Sequence, residues 1–175
     1  RRDLFIDMIK KAHNTSAMYS LLDWVNLMCN EMDIRGVAHR GYFGSITDFK
    51  SYYDTSMSLI DLKTARSLFD PDWPIYTRTS DSCPTQYLEG ADVKASVISN
   101  GCRIEGTIDH SILSRGCIIK KGAVVKNCVI LPDVVIGEDT VLENVVVDKH
   151  VRINHIKEVK GTPEHPGYVK RGDHL

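Results

Sequence analysis

The sequence predicts a mainly β protein: a parallel β-helix of hexapeptide repeats, preceded by a helical segment. Three observations carry this. Residues 95–153 fall into rows beginning at Ala95, His110, Asn127 and Asn144. Aliphatic side chains then stand in columns: Ile98, Leu113, Ile130, Val147; Ile104, Ile119, Ile136, Ile153; and Ile108, Val125, Leu142. Small residues form companion columns, Ser96, Ser111, Cys128, Val145 and Cys102, Cys117, Val134, Val151. Within a row the aliphatics recur roughly every six residues, the period of a three-sided coil. A single coil cannot bury its own apolar face, so coils must stack. Agreement of the columns over three full rows disfavours an accidental spacing of β-sandwich strands.

The corners of such a coil need sharp turns. Gly101, Gly106, Gly116, Gly122 and Gly137 stand where positive φ is expected, with Asn100, Asp133 and Asp139 as the next best turn residues.

Composition bounds the rest. The chain has 175 residues, of which 42% are hydrophobic, enough for one medium domain or two small ones. With 22 basic and 23 acidic residues there is no bulk electrostatic drive toward nucleic acid or an anionic membrane. No apolar run is long enough to span a bilayer. Arg1-Arg2-Asp3 opens no signal-peptide core and lacks an initiator Met, which reads as a fragment. None of the five cysteines pairs in a Cys-x-x-Cys motif, and Cys102, Cys117 and Cys128 fall in the small-residue columns. They read as buried thiols in a reducing, cytoplasmic setting.

Before the β-helix, Asp3 can cap a helix carrying Leu4, Met8 and Ile9, and Asn14, Thr15 or Ser16 can cap a second. Met18, Leu21, Leu22, Val25, Met28, Cys29 and Met32 then form one helical face. Ile34 to His39 reads as a strand and Gly41 to Gly44 as a turn. Thr47 or Ser45 can cap a helix with Phe49, Tyr52, Tyr53, Met57 and Ile60 on one side, and Asp48 can serve as a cap as well. A short helix from Leu62 to Phe69 must end at Asp70-Pro71-Asp72-Trp73-Pro74. This places a domain boundary between residues 1–72 and residues 73–175, with the β-helix itself from about Leu88. The columns stop after Ile153, and Tyr168-Val169 can pair as a last strand over the open end.

These residues resemble a known family. Gly41-Tyr42-Phe43, Ser51-Tyr52-Tyr53 with Met57, the run Asp70-Pro71-Asp72-Trp73-Pro74-Ile75-Tyr76-Thr77, then Ile130-Leu131-Pro132 and Val147-Asp148-Lys149 in the repeats, look like the C-terminal part of bacterial glucose-1-phosphate adenylyltransferase. The resemblance implies a left-handed β-helix following the remnant of an α/β nucleotidyltransferase domain. It implies ADP-glucose synthesis from ATP and glucose 1-phosphate for glycogen, Mg²⁺ in the parent family, and homo- or hetero-oligomers. No Gly-rich phosphate loop occurs in the chain, so no catalytic residue and no cofactor is assigned to it. Ser45 stands at the family's metal-aspartate position, where a hydroxyl cannot replace a carboxylate's charge, and Thr47 stands at its glycine. Asp48 is the fallback metal ligand. These departures, with Gly161-Thr162-Pro163-Glu164 and Val169-Lys170-Arg171-Gly172, resemble the GlgD-type, non-catalytic subunit, whose partner is a catalytic subunit of the same family.

Candidate sites are few. Arg103, Arg115, Lys120 and Lys121 can form a basic edge for a phosphorylated effector or an interface, although Glu138 and Glu143 lie nearby. A second use of the repeats is a hexapeptide acyltransferase with His110 or His150 as general base. His110, His150 and His155 lack the column relation that a three-histidine zinc site needs.

Overall fold

The computed structural model describes residues 2–15, 20–69, 71–72, 74–77 and 79–173. Ser16, Met18, Asp70 and Trp73, which the sequence reading used, lie outside the described residues. Contacts divide the chain into two units, Arg1–Arg40 and Gly41–Leu175. That division falls earlier than the proline-rich run, because the helix after Gly41 packs on the repeats.

The first unit holds α1 (Arg2–Thr15) and α2 (Leu21–Met28). α1 and α2 are the two helices expected there, but the second is capped by Ser20 rather than by Asn14, Thr15 or Ser16; Thr15 ends α1 and donates to the Lys11 carbonyl at 2.9 Å. Ser20 starts α2 with a reciprocal cap: the Asp23 N–H donates to Ser20 Oγ, and the Ser20 N–H donates to the Asp23 carboxylate. Its buried side is Trp24, flanked by half-buried Leu21, Val25 and Met28. Residues 34–39 form no strand. With no neighbouring strand to pair its amides and carbonyls, β-propensity alone cannot hold one.

In the second unit Asp48 caps α3 (Phe49–Ser58) and Asp61 caps α4 (Leu62–Leu68). Fifteen short strands follow: β1 (Gln86–Tyr87), β2 (Asp92–Lys94), β3 (Val97–Ile98), β4 (Arg103–Ile104), β5 (Thr107–Asp109), β6 (Ile112–Leu113), β7 (Ile118–Ile119), β8 (Val124–Lys126), β9 (Val129–Ile130), β10 (Val135–Ile136), β11 (Val141–Glu143), β12 (Val145–Val147), β13 (Arg152–Ile153), β14 (Glu158–Lys160) and β15 (Gly167–Val169). They make three five-stranded parallel sheets, one per side of a prism. The first face is β1-β4-β7-β10-β13, the second β2-β5-β8-β11-β14, the third β3-β6-β9-β12-β15.

The registers reproduce the sequence columns. Ile104, Ile119, Ile136 and Ile153 pair in order, as do Ile98, Leu113, Ile130 and Val147. The third column extends at both ends, from Val93 through Ile108, Val125 and Leu142 to Val159. The prism thus runs past Ile153, where the repeat fades: β14 and the expected last strand β15 complete a further turn, and Val169 is buried. Ile104, Ile108, Leu113, Ile119, Ile130, Ile136, Leu142 and Ile153 are fully buried. At about 25 cal/mol per Å² of apolar area removed from water, this stack is the main source of stability.

The corners differ from expectation in an instructive way. Gly101, Gly116 and Gly122 do adopt positive φ, but Gly106 and Gly137 do not. Those two are needed for close approach: a Cβ on Gly106 would lie 2.4 Å from the Ala123 carbonyl oxygen, and one on Gly137 2.6 Å from that of Ile153. Non-glycine residues take many left-handed corners, among them Ala95, His110, Asn127 and Asn144 at equivalent rows, and Asp133 and His150. Ala95, at φ 42, has no polar side chain to offset the strain. Ala95→Gly is therefore expected to stabilise the fold by about 0.5–1 kcal/mol, read as a higher urea midpoint at unchanged slope.

Candidate functional site

The most constructed surface of the second unit is the seam between α3 and the third face. Asp48 starts α3 by accepting the Ser51 N–H at 2.7 Å, while Ser51 Oγ accepts the amides of Thr47 and Asp48 at 2.9 and 3.0 Å. So anchored, the helix lays Tyr52, Tyr53 and Met57 against Val129, Val146 and Leu131. Outward-facing Val129 and Val146 are only 3% and 1% exposed for this reason. The Tyr53 hydroxyl donates to the Asn127 carbonyl at 2.7 Å, tying the helix to a corner of the prism. At the C-terminal coil the Phe49 ring meets Tyr168 edge-on at 5.4 Å, and the Tyr168 hydroxyl donates to Asp148 at 3.1 Å.

Burial pushes the Tyr53 phenol up to about 12, with smaller pushes from Cys128 and Asp54. An unfolded tyrosine ionises near 10.0. Below that pH both states keep the proton and the seam contributes fully. Above it the folded state holds a proton that the unfolded state has lost, so stability falls as pH rises toward about 12. A spectrophotometric titration at alkaline pH is expected to show a late-ionising tyrosine that is lost in Tyr53→Phe.

Ser45 lies exposed in the loop before the cap. Asp48 is engaged as the cap: the Ser51 N–H first, then the Ser51 hydroxyl, hold its carboxyl below the usual range. Asp54 pairs with Lys50 one turn back. Among the described residues no three His, Cys, Asp or Glu side chains converge as metal ligands. A serine hydroxyl and a single capping carboxylate do not suit the hard divalent cation that the resemblance implies.

Three of the four basic candidates bracket β7, and the fourth stands on the neighbouring strand. Arg103 projects outward from β4, whose register partner is Ile118 in β7. Arg115 lies at the corner before β7, Lys120 and Lys121 at the corner after it. Lys121 lines shallow hollows with Glu89, Glu105, Glu138 and Asp139, and Lys120 lines another with Glu138, Asn154 and Lys157. The lysine corner is thus mixed in charge, while Glu143 projects from the second face, away from it.

The histidines are corner residues. His110 Nδ1 sits 3.1 Å from Asn127 Oδ1, and His150 Nδ1 sits 3.5 Å from Asp133. They occupy different corners, β5–β6 and β12–β13, and His155 lies between β13 and β14, so the three do not meet. The thiols of Cys102, Cys117 and Cys128 are buried and donate to the carbonyls of Ser114, Leu131 and Lys126. Burial pushes the Cys128 thiol up to about 12, which suits a packing residue. The Tyr53–Asn127 tie was not found from sequence. Asn127 looks like any corner residue, and its backbone carbonyl carries no side-chain signature.

One relative of known name matches across both the helices and the prism. A hexapeptide family described as GlmU-like, C-terminal hexapeptide, matches residues 84–165. Glycogen biosynthesis protein GlgD of Bacillus subtilis is 39% identical over 160 residues, 91% of this chain and 47% of that protein. GlgD of Geobacillus stearothermophilus is 49% identical over 118 residues, 67% of this chain and 34% of that protein. Glucose-1-phosphate adenylyltransferase of Streptomyces coelicolor is 37% identical over 86 residues, 49% of this chain and 22% of that protein. The chain spans less than half the length of each of these relatives.

Proposed function

Because the chain belongs to the glucose-1-phosphate adenylyltransferase family, with GlgD proteins among its relatives, we propose that it serves glycogen synthesis as a regulatory, non-catalytic subunit. Its role is assembly with a catalytic subunit of the same family, which makes ADP-glucose from ATP and glucose 1-phosphate in the cytoplasm. The observation that carries this reading is the span of the likeness: 91% of the chain against the Bacillus subtilis GlgD, and 49% against the Streptomyces coelicolor adenylyltransferase. Two local features agree with it. Ser45 replaces the carboxylate at the resembled metal position, and Asp48 is spent as a helix cap. No described helix is long and apolar enough to cross a membrane.

The test mixes the chain with a catalytic adenylyltransferase subunit and follows complex formation by size exclusion and ADP-glucose formation by coupled assay. The chain alone is expected to make no ADP-glucose, to co-elute with the catalytic subunit, and to change its response to phosphorylated effectors. Arg103, Arg115, Lys120 and Lys121 are the basic side chains proposed to act in that response or at the subunit contact, so replacing Lys120 and Lys121 by glutamate is expected to reduce it. Turnover by the chain alone at ordinary enzyme rates would overturn the non-catalytic role. Saturable acetyl-CoA binding would replace it with an acyltransferase.

A further inference from the structure

The second face of the prism carries two outward columns. One reads Asp92, Thr107, Val124, Val141, Glu158; the other reads Lys94, Asp109, Lys126, Glu143, Lys160. Charge in the second column changes sign at every rung. Within their own strands Lys94 pairs with Asp92 at 2.8 Å and Lys160 pairs with Glu158. Asp92 raises the Lys94 ammonium above its usual range and Glu158 does the same for Lys160. None of these side chains is buried, so no other described element of the second unit covers this face. The third face, by contrast, is partly covered by α3.

We propose that this second face is a contact between two copies of the chain, packed face to face with parallel prism axes about a two-fold running down the middle of the sheet. The proposal rests on the assembly role above and extends it to a contact between like subunits.

The argument is one of charge. The columns stand about 6.6 Å apart and the rungs about 4.8 Å, from the geometry of parallel strands. A two-fold along the stack keeps each rung and exchanges the columns. Lys94 then faces the second copy's Asp92, and Lys160 faces the second copy's Glu158. Asp109 faces a threonine hydroxyl that can donate to it. Lys126 and Glu143 lay their apolar stems on Val124 and Val141. No rung opposes like charges.

A two-fold across the stack reverses the rungs and keeps the columns. Lys94 then faces Lys160, Asp109 faces Glu143, Lys126 faces itself, and Asp92 faces Glu158. Every charged rung is repelled. Slipping this reversed arrangement by one rung restores opposite signs in the lysine column, but it leaves one end rung unopposed, that of Glu158 and Lys160 or that of Asp92 and Lys94 according to the direction of the slip. Only the parallel arrangement uses all the rungs. Exposed ion pairs contribute little each, so they select orientation more than they hold the dimer. The face is small beside the roughly 800 Å² per partner of a stable interface, so the contact is weak by itself.

The experiment is sedimentation equilibrium of the whole chain over a wide concentration range. One variant carries Asp92→Lys with Glu158→Lys, the other Lys94→Glu with Lys160→Glu; circular dichroism checks that each folds. Each variant alone is expected to self-associate at least tenfold more weakly than the unaltered chain. Their equimolar mixture is expected to return to the original strength, since the two altered faces complement one another. For the unaltered chain, raising salt from about 0.05 to 0.5 M is expected to weaken association, a readout that needs no variant. A chain that stays monomeric, variants that associate as before, a mixture that fails to recover, or association indifferent to salt would each overturn the proposal. A monomer that still binds the catalytic subunit would remove this face and leave the assembly role standing.

Discussion

Ile119→Asp is expected to leave the prism unfolded. Ile119 is fully buried in β7, with Ile104 on the rung before it and Ile136 on the rung after. A carboxylate there has no cation and no hydrogen-bond donor among its column neighbours. Burying such a group costs several kcal/mol or forces it to take up a proton. That cost is comparable to the whole stability of a domain, about 5–15 kcal/mol. The milder Ile119→Ala separates packing from charge: it is expected to fold and to lose about 2–5 kcal/mol in urea unfolding. The same aspartate substitution at exposed Val97, in β3, is expected to change stability by less than about 1 kcal/mol.

Gly106→Val is expected to be nearly as damaging, for a reason unrelated to hydrophobicity. A Cβ at position 106 would lie 2.4 Å from the Ala123 carbonyl oxygen and 3.0 Å from that of Lys120. Both are backbone atoms of the next coil, and neither can rotate away. The coils would have to separate locally, breaking the ladder bond in which the Thr107 N–H donates to the Ala123 carbonyl at 2.8 Å. A loss of at least about 3 kcal/mol is expected from overpacking with backbone displacement. Gly90→Ala makes the comparison: its Cβ comes no closer than 3.4 Å to the neighbouring backbone, at a left-handed φ of 89. That change is expected to cost only the conformational penalty, about 1–2 kcal/mol.

The prism was legible in the sequence because its side chains must repeat when its geometry repeats. Ile104, Ile119, Ile136 and Ile153 fill the same position in successive coils, so the same residue type serves each time. The ends were less legible. Val93 and Val159 occupy the same column as Leu142. At the C-terminal end, though, the spacing to the next row changes and a proline-broken loop, Pro163 to Pro166, intervenes before β15. Corner residues were only half legible: side-chain freedom at a turn admits Asn127, His110 and Ala95 as well as glycine. The strand expected at residues 34–39 failed because propensity is local and pairing is not. The seam between α3 and the third face was invisible as a pair, since its central bond ends on a backbone carbonyl. The alternating charges of the second face were legible too, because Lys94, Asp109, Lys126, Glu143 and Lys160 share a column.

The measurement that bears most directly on this account is a methyl-labelled nuclear Overhauser spectrum of the isoleucines. Ile104, Ile119, Ile136 and Ile153 are expected to give cross-peaks in sequence, each to the next, with none between Ile104 and Ile153. Missing peaks between Ile119 and Ile136, or strong peaks joining Ile104 directly to Ile153, would mean that these side chains do not lie one above another in successive coils.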